Sequence, residues 1–399
     1  MRQPAPLRPG PMPPIWLLTI FTAAGMLGMH VFAPALPLIA ADFAATPAET
    51  QYTISLYVAA LAVGQLVYGP LSDRLGRRPV IIGGLALFVA ACVLAMLASS
   101  LGQLILARIL QGFGGCAGLV LARAIVQDVS QGSNSAGTIA TLNIVQLIGS
   151  AVAPVVGLAL AGHLGWRVVP AMLCALGLAG IAGAVWWLRE TGARAVRGGG
   201  VGAYLAVFGA PGFVAYLTVG AFTTTTLFCL VSTMPFVVTA NLARPEGDVG
   251  RCYFVLVAGV ICGGYVAKRL AGRVDLDRVI LAATGLGVLC GGALLAMVLS
   301  GTLALLPYLA GGFGFALTCG IMGVAALART TEKVGALKGT AVGIYGFTQM
   351  AAGALSIVLG SVGPDVALTS TLTLAAFAAG GFLVFLAHWL RAPRRGTGI

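Results

Sequence analysis

Stretches almost free of charge recur along the chain, each set off from the next by a short segment rich in Gly, Pro or Arg. A helix needs about 20 consecutive apolar residues to cross the hydrocarbon core of a bilayer. Runs of that length lie at 14–40, 51–71, 80–98, 102–127, 137–160, 168–188, 208–239, 252–270, 278–300, 302–328, 336–361 and 366–390. The pattern predicts twelve transmembrane helices, an all-α polytopic membrane protein. The seventh run is overlong, and its first part, from Tyr204, is expected to lie along the membrane surface.

Composition agrees with the pattern. Of the residues, 59% are hydrophobic and 9% are charged, and the mean hydropathy is +1.00; a soluble domain is about 45–50% apolar and about 25% charged. The basic, Pro-rich start leads into an apolar run too long for a cleaved leader. A net charge of +12 could indicate nucleic acid, but the positive residues sit in short clusters between apolar runs, which excludes that partner. Eighteen of the 23 Lys and Arg fall on one side if both termini are cytosolic, three (Arg167, Arg244, Arg251) on the other, and Arg108 and Arg123 within the fourth run. That bias orients the chain. Apart from Cys252, which stands at the very start of the run 252–270, the eight cysteines lie inside apolar runs, and none has metal-ligand spacing, so neither a metal nor a cofactor is expected.

The chain also looks doubled. "QGFGG" (111–115) is echoed by "GGFGF" (311–315), and "GPLSDRLGRR" (69–78) by a degraded "GYVAKRLAGR" (264–273). Two six-helix pseudo-repeat halves are expected: residues 1–188, a basic Gly-rich cytosolic linker at 189–203, and residues 204–399.

Three stretches carry candidate chemistry. In "GPLSDRLGRRPV" (69–80), Gly69 and Gly76 allow close approach and a tight turn, and Asp73 stands among Arg74, Arg77 and Arg78. The bland reading is a positive-inside anchor with one counter-ion, which does not explain the order of the residues. In "RILQGFG" (108–114), Arg108 stands inside an apolar span, so either it faces a polar cavity or partner or it snorkels to an interface. In "GSAVAPVVG" (149–157), Gly149, Ala153 and Gly157 form a small face, and Pro154 removes a backbone hydrogen bond.

These motifs resemble the major facilitator superfamily. Its signature after span two is G-x-L-a-D-r-x-G-r-R, its fourth span carries R-x-x-Q-G (here Arg108, Gln111, Gly112), and its antiporter motif is G-x-x-x-G-P-x-x-G-G, from which this chain departs at Ala153 and Leu158. The remaining A-P-x-x-G, "APALPLIAADF" (33–43) and "GWR" (165–167) resemble the bicyclomycin/chloramphenicol-resistance branch of drug/proton antiporters with twelve helices. The likeness covers most of the first half; the second half matches mainly in pattern. It implies a conformational latch of Gly69, Asp73, Arg74, Gly76, Arg77 and Arg78, in which Asp73 meets the positive end of a second-half helix and Arg77 pairs with Asp128. It associates Arg108 with proton transfer or substrate binding.

In that branch the first span reads D-M-Y-L-P-A-L-P; here His30 occupies the acid's position. All eleven carboxylates fall in loops or at span ends by this assignment. His titrates near neutrality, so His30, with Arg108 and Asp128, is a candidate for proton coupling. The alternative is a neutral histidine bonded to a backbone carbonyl or a tyrosine. Substrate-cavity candidates are Phe32, Tyr57, Gln65, Gln111, Asn143, Gln146, Thr224, Ser232, Tyr253, Tyr308, Tyr345 and Gln349; each alone also fits an ordinary helix–helix hydrogen bond. The expectation is a monomeric, multi-pass transporter of a bacterial inner membrane, exporting small neutral or amphipathic compounds with protons and the lipid bilayer as its other partners. An uncoupled or uptake carrier of one metabolite is the alternative. No Gly-x-Ser-x-Gly or His-Glu-x-x-His motif supports an enzyme.

Overall fold

A computed structural model describes residues 12–129, 142, 149, 152–191, 201–270, 273–332, 338–363 and 365–391, and every regular element among them is helical. In chain order these are α1 (Ile15–His30), α2 (Leu36–Asp42), α3 (Pro47–Leu75), α4 (Arg77–Met96), α5 (Leu101–Val129), α6 (Val152–Leu164), α7 (Val168–Trp187), α8 (Val201–Phe208), α9 (Phe213–Phe236), α10 (Glu246–Leu270), α11 (Leu276–Leu299), α12 (Leu305–Glu332), α13 (Lys338–Ser361) and α14 (Val366–Arg391). Eleven helical segments among the described residues are long and apolar enough to cross a membrane, counting α1 to α2 as one from Ile15 to Asp42. The expected run 137–160 falls largely outside the described residues; its described part is the shorter apolar helix α6.

Two expected runs differ from single helices. The first is broken between α1 and α2, where only a short 3-10 turn (Ala33–Ala35) intervenes. Pro34 and Pro37 have no N–H to give the preceding turn, so a regular helix cannot pass through. The seventh run is two elements: α8 stops at Phe208, and α9 restarts after Gly212, whose φ of 79° suits the reversal. At its far end α9 passes into a π turn over Val237–Asn241.

The chain divides into two compact units, Met1–Gly198 with Glu246–Phe254, and Gly199–Pro245 with Val255–Ile399. In the first unit, α5 is the central pillar, packed on α1, α3 and α4. Its glycines explain how. A Cβ at Gly112 would strike the Tyr57 carbonyl of α3, one at Gly115 would lie 3.0 Å from the Gly25 Cα of α1, and one at Gly114 would lie 2.6 Å from the Phe88 nitrogen of α4. "QGFGG" is therefore a seat for three backbones, where van der Waals contact rather than a hydrophobic drive holds helices in lipid. In the second unit, α9, α11, α12, α13 and α14 enclose a core that includes Tyr216, Val219, Ile280, Met322, Ile344 and Phe385.

Candidate functional site

At the end of α1 the last carbonyls run short of helical N–H donors, and three neighbouring helices converge on this stretch. Tyr57 of α3 donates its hydroxyl to the Gly25 carbonyl at 2.6 Å. Arg108 of α5 donates Nη2 to the Gly28 carbonyl at 2.7 Å and Nε to the Thr53 carbonyl at 3.2 Å, and Nη1 to Gln111 Oε1. The helix carries its own cap as well: Val31 N–H donates to the Leu27 carbonyl at 2.9 Å, and His30 Nδ1 lies 3.0 Å from the Met26 carbonyl oxygen. A carbonyl only accepts, so this nitrogen of His30 bears a hydrogen. From α6, Gly157 meets the break directly; a Cβ there would overlap the Val31 carbonyl.

Arg108 is fully buried. Its guanidinium lies between the rings of Phe32 and Tyr57, 4.1 Å from each centroid. None of the ion pairs among the described residues includes it. The charge is thus offset by two aromatic faces and by carbonyl oxygens, one of them at the negative end of α1. It does not snorkel. Gln111 extends the network by donating Nε2 to Cys92 Sγ at 2.9 Å.

The 69–80 stretch is not a loop. α3 and α4 are joined by Gly76 alone, at φ 98°. Arg77 reaches Asp73 at 2.7 Å and Asp128 at 2.9 Å, and also bonds the Ser72 hydroxyl. Glu190, just beyond α7, accepts the backbone N–H groups of Arg77 (2.7 Å) and Arg78 (3.2 Å), capping α4 from a separate segment. Sequence reasoning missed Glu190; the available signal was a lone acid in the basic stretch "RETGAR". Gly76 is favoured by its φ, and a Cβ there would also lie 2.6 Å from the Glu190 carboxylate and push it off its present place. A Cβ at Gly69 meets no atom within 4 Å, so the close approach expected there is not made within this unit. Arg78 donates to the Val185 carbonyl at 2.7 Å.

At the other end of this unit, Asp42 accepts from Trp166 Nε1 at 3.0 Å and pairs with Arg167 at 2.8 Å, which brings "ADF" and "GWR" together. Asp248, in the first turn of α10, is 4% exposed and pairs with Arg251 at 2.7 Å. It is a buried carboxylate, although it stands at a span end as expected.

Of the antiporter stretch, Ala153 and Pro154 are buried. A Cβ at Gly149 would make only ordinary contact, 3.5 Å from Leu27. Among the cavity candidates, Phe32, Tyr57 and Gln111 surround Arg108, while Gln65 and Tyr253 lie elsewhere in the first unit. Ser232, Tyr308, Tyr345 and Gln349 belong to the second unit. There Ser232 bonds the Cys229 carbonyl of its own helix, and Tyr345 packs over Gly220. Asn143, Gln146 and the side chain of Thr224 lie outside the described residues.

The second unit has an ionic cluster that the sequence did not reveal. Arg329, in the last turn of α12, pairs with Asp275 at 2.7 Å and Asp277 at 3.1 Å. Tyr216 of α9 donates its hydroxyl to Asp277 at 3.0 Å and lies against His388 of α14, with ring centroids 5.3 Å apart.

Apolar helices in this number define a multi-pass membrane protein. A family model described as Major Facilitator Superfamily matches residues 17–357, and the chain belongs to that superfamily. Over 186 residues it is 36% identical to the chloramphenicol resistance protein of Pseudomonas aeruginosa, covering 46% of this chain and 44% of that protein, so less than half of the relative is matched. It is 23% identical over 348 residues to the bicyclomycin resistance protein homolog of Haemophilus influenzae, covering 86% of this chain and 87% of the relative. These names agree with the likeness drawn from "APALPLIAADF" and "GWR". Among solved structures, a D-xylose-proton symporter superposes with a TM-score of 0.74 at 14% identity over 95% of this chain and 98% of that one, a likeness of fold.

Proposed function

We propose that the chain is a secondary transporter that exports small neutral or amphipathic organic compounds by alternating access, driven by inward proton flow, as a monomer in a bacterial inner membrane. The observation that carries this is the Arg108 cage. A broken helix with a charged group at its open end is how transporters of many folds build a site at mid-depth. Here the buried charge is positive and has aromatic and carbonyl neighbours instead of a carboxylate. Such a site disfavours cationic compounds, and its flat apolar faces suit neutral rings. The resistance-protein names of the relatives support the substrate class.

In this reading His30 is the coupling group. Its Nδ1 is held by the Met26 carbonyl, so a second proton would go to Nε2. The resulting charge would sit on the same helical turn whose Gly28 carbonyl holds Arg108, and mutual repulsion would loosen that turn. Asp128 serves the proton path at the Arg77 end, and Asp73 and Arg77 act as the latch.

The test is transport in proteoliposomes with chloramphenicol, bicyclomycin and ethidium under an imposed pH gradient. Proton-driven flux of the two neutral compounds, little flux of ethidium, and loss of coupling in His30→Ala are expected. Equal proton-driven flux in His30→Ala and wild type would remove His30 from the mechanism. Flux indifferent to the gradient would favour an uncoupled carrier. That second reading draws on one observation: among the described residues, the one buried carboxylate, Asp248, stands at a span end.

A further inference from the structure

Three tryptophans meet at the end of the first unit where α1 and α4 begin and α7 stops. Trp16 is the second residue of α1, and Trp186 and Trp187 are the last two of α7. The rings of Trp16 and Trp187 stand edge to face at 5.4 Å, and those of Trp186 and Trp187 at 5.9 Å. Trp16 lies against the part of α7 left open by Gly183, where a Cβ would be 3.5 Å from its ring. The cluster is packed but is not core, since Trp16 is 47% exposed, Trp187 52% and Trp186 74%. Among the described residues, none of the three indole N–H groups has an acceptor. Indole collects at the boundary of a bilayer, where its ring meets hydrocarbon and its N–H meets headgroups.

Two arginines border the cluster. Arg78 donates Nη2 to the carbonyl of Val185, the residue before Trp186, and its Nε is buried without an acceptor. Arg189 is exposed, two residues after Trp187. Neither arginine belongs to an ion pair among the described residues. The neighbouring acid, Glu190, gives its two carboxylate oxygens to the backbone N–H groups of Arg77 and Arg78. The other end of the same unit shows these residue types satisfied from within: Trp166 and Arg167 both bond Asp42, at 3.0 and 2.8 Å. At the tryptophan cluster the donors are present and no such acid receives them. Donors kept from water need an acceptor, and guanidinium groups are best matched by an anion with several oxygens. The exposed indole faces call for hydrocarbon beside that anion. A phospholipid with a net negative headgroup supplies both, whereas a zwitterionic headgroup adds an ammonium that a set of donors does not receive.

We propose that Trp16, Trp186 and Trp187, with Arg78 and Arg189, form a binding site for one anionic phospholipid, its phosphate at the arginines and its acyl chains along the indole faces. The site needs only that the chain spans a membrane and is independent of what the chain transports. Native mass spectrometry of the full chain in neutral detergent tests it, with phosphatidylglycerol and phosphatidylethanolamine of the same acyl chains titrated separately. One phosphatidylglycerol should bind about tenfold or more tightly than phosphatidylethanolamine, because each arginine at a membrane surface is worth about fivefold toward an anionic headgroup. Arg189→Gln should weaken phosphatidylglycerol about fivefold and Trp186→Leu about threefold, with phosphatidylethanolamine unchanged. Both side chains are exposed, so both variants should fold, which their unfolding temperatures in lipid-free detergent check. Millimolar glycerol 3-phosphate should not displace the lipid. Equal affinity for the two lipids would overturn the proposal and leave an ordinary aromatic belt. Unchanged phosphatidylglycerol affinity in both variants would overturn it by moving the lipid elsewhere, and displacement by glycerol 3-phosphate would overturn it in favour of a soluble phosphate compound.

Discussion

Arg108→Lys keeps the charge and removes the planar fork, and its effect can be worked from the cage. The guanidinium bonds Gly28, Thr53 and Gln111 at once and shows a face to each of two rings. An ammonium on a four-carbon stem can reach one of those acceptors and can lie over one ring. It would remain buried with most of its compensation gone, a situation that costs about 3–5 kcal/mol for a buried charge that loses its partner. Arg108→Met removes the charge together with the cost of burying it, but leaves the Gly28 carbonyl and Gln111 Oε1 short of a donor, at about 1–3 kcal/mol. The expected order of stability is therefore wild type, Met, then Lys, the reverse of what conservation of charge would suggest. Thermal unfolding in detergent, followed by a thiol-reactive dye that reports the buried cysteines Cys92, Cys116 and Cys229 as they open, measures that order. Both variants should lose chloramphenicol transport by about a hundredfold, since neither holds α1 from two sides. A Lys variant as stable as wild type, or a Met variant that transports normally, would refute the reasoning.

Three further outcomes follow from the same contacts. Gly157→Ala should cost about 1–3 kcal/mol and impair transport, because its Cβ overlaps the backbone carbonyl of Val31, which cannot move aside as a flexible side chain would; unfolding temperature and flux check both. Glu190→Gln weakens the cap on Arg77 and Arg78 and should lower stability by about 1 kcal/mol at low salt, and less at high salt because the group is exposed; unfolding midpoints at two ionic strengths read this. Asp73→Asn removes a half-exposed pair worth under about 1 kcal/mol, so folding should survive while transport slows; normal transport would reduce the motif to a topology signal.

The hydrophobic pattern was sufficient for the eleven candidate spans among the described residues, because in lipid a backbone has no choice but to satisfy itself. It also picked out Arg108, since a charge inside an apolar run is costly wherever the helix turns. What the pattern could not say is what compensates that charge. The answer is the Gly28 carbonyl at the end of α1, the Thr53 carbonyl of α3, Gln111 and the rings of Phe32 and Tyr57; carbonyls are present at every residue, so no sequence signal marks the ones that serve. Likewise Glu190, Asp275, Asp277 and Arg329 look like ordinary loop charges in the sequence. Their pairing depends on where separate helix ends meet, a distance of tens to more than a hundred residues along the chain. Local chemistry determined which segments span; tertiary packing decided which charges stand together, because an ionic contact is fixed by three-dimensional proximity and helix direction, and neither is written in residue order.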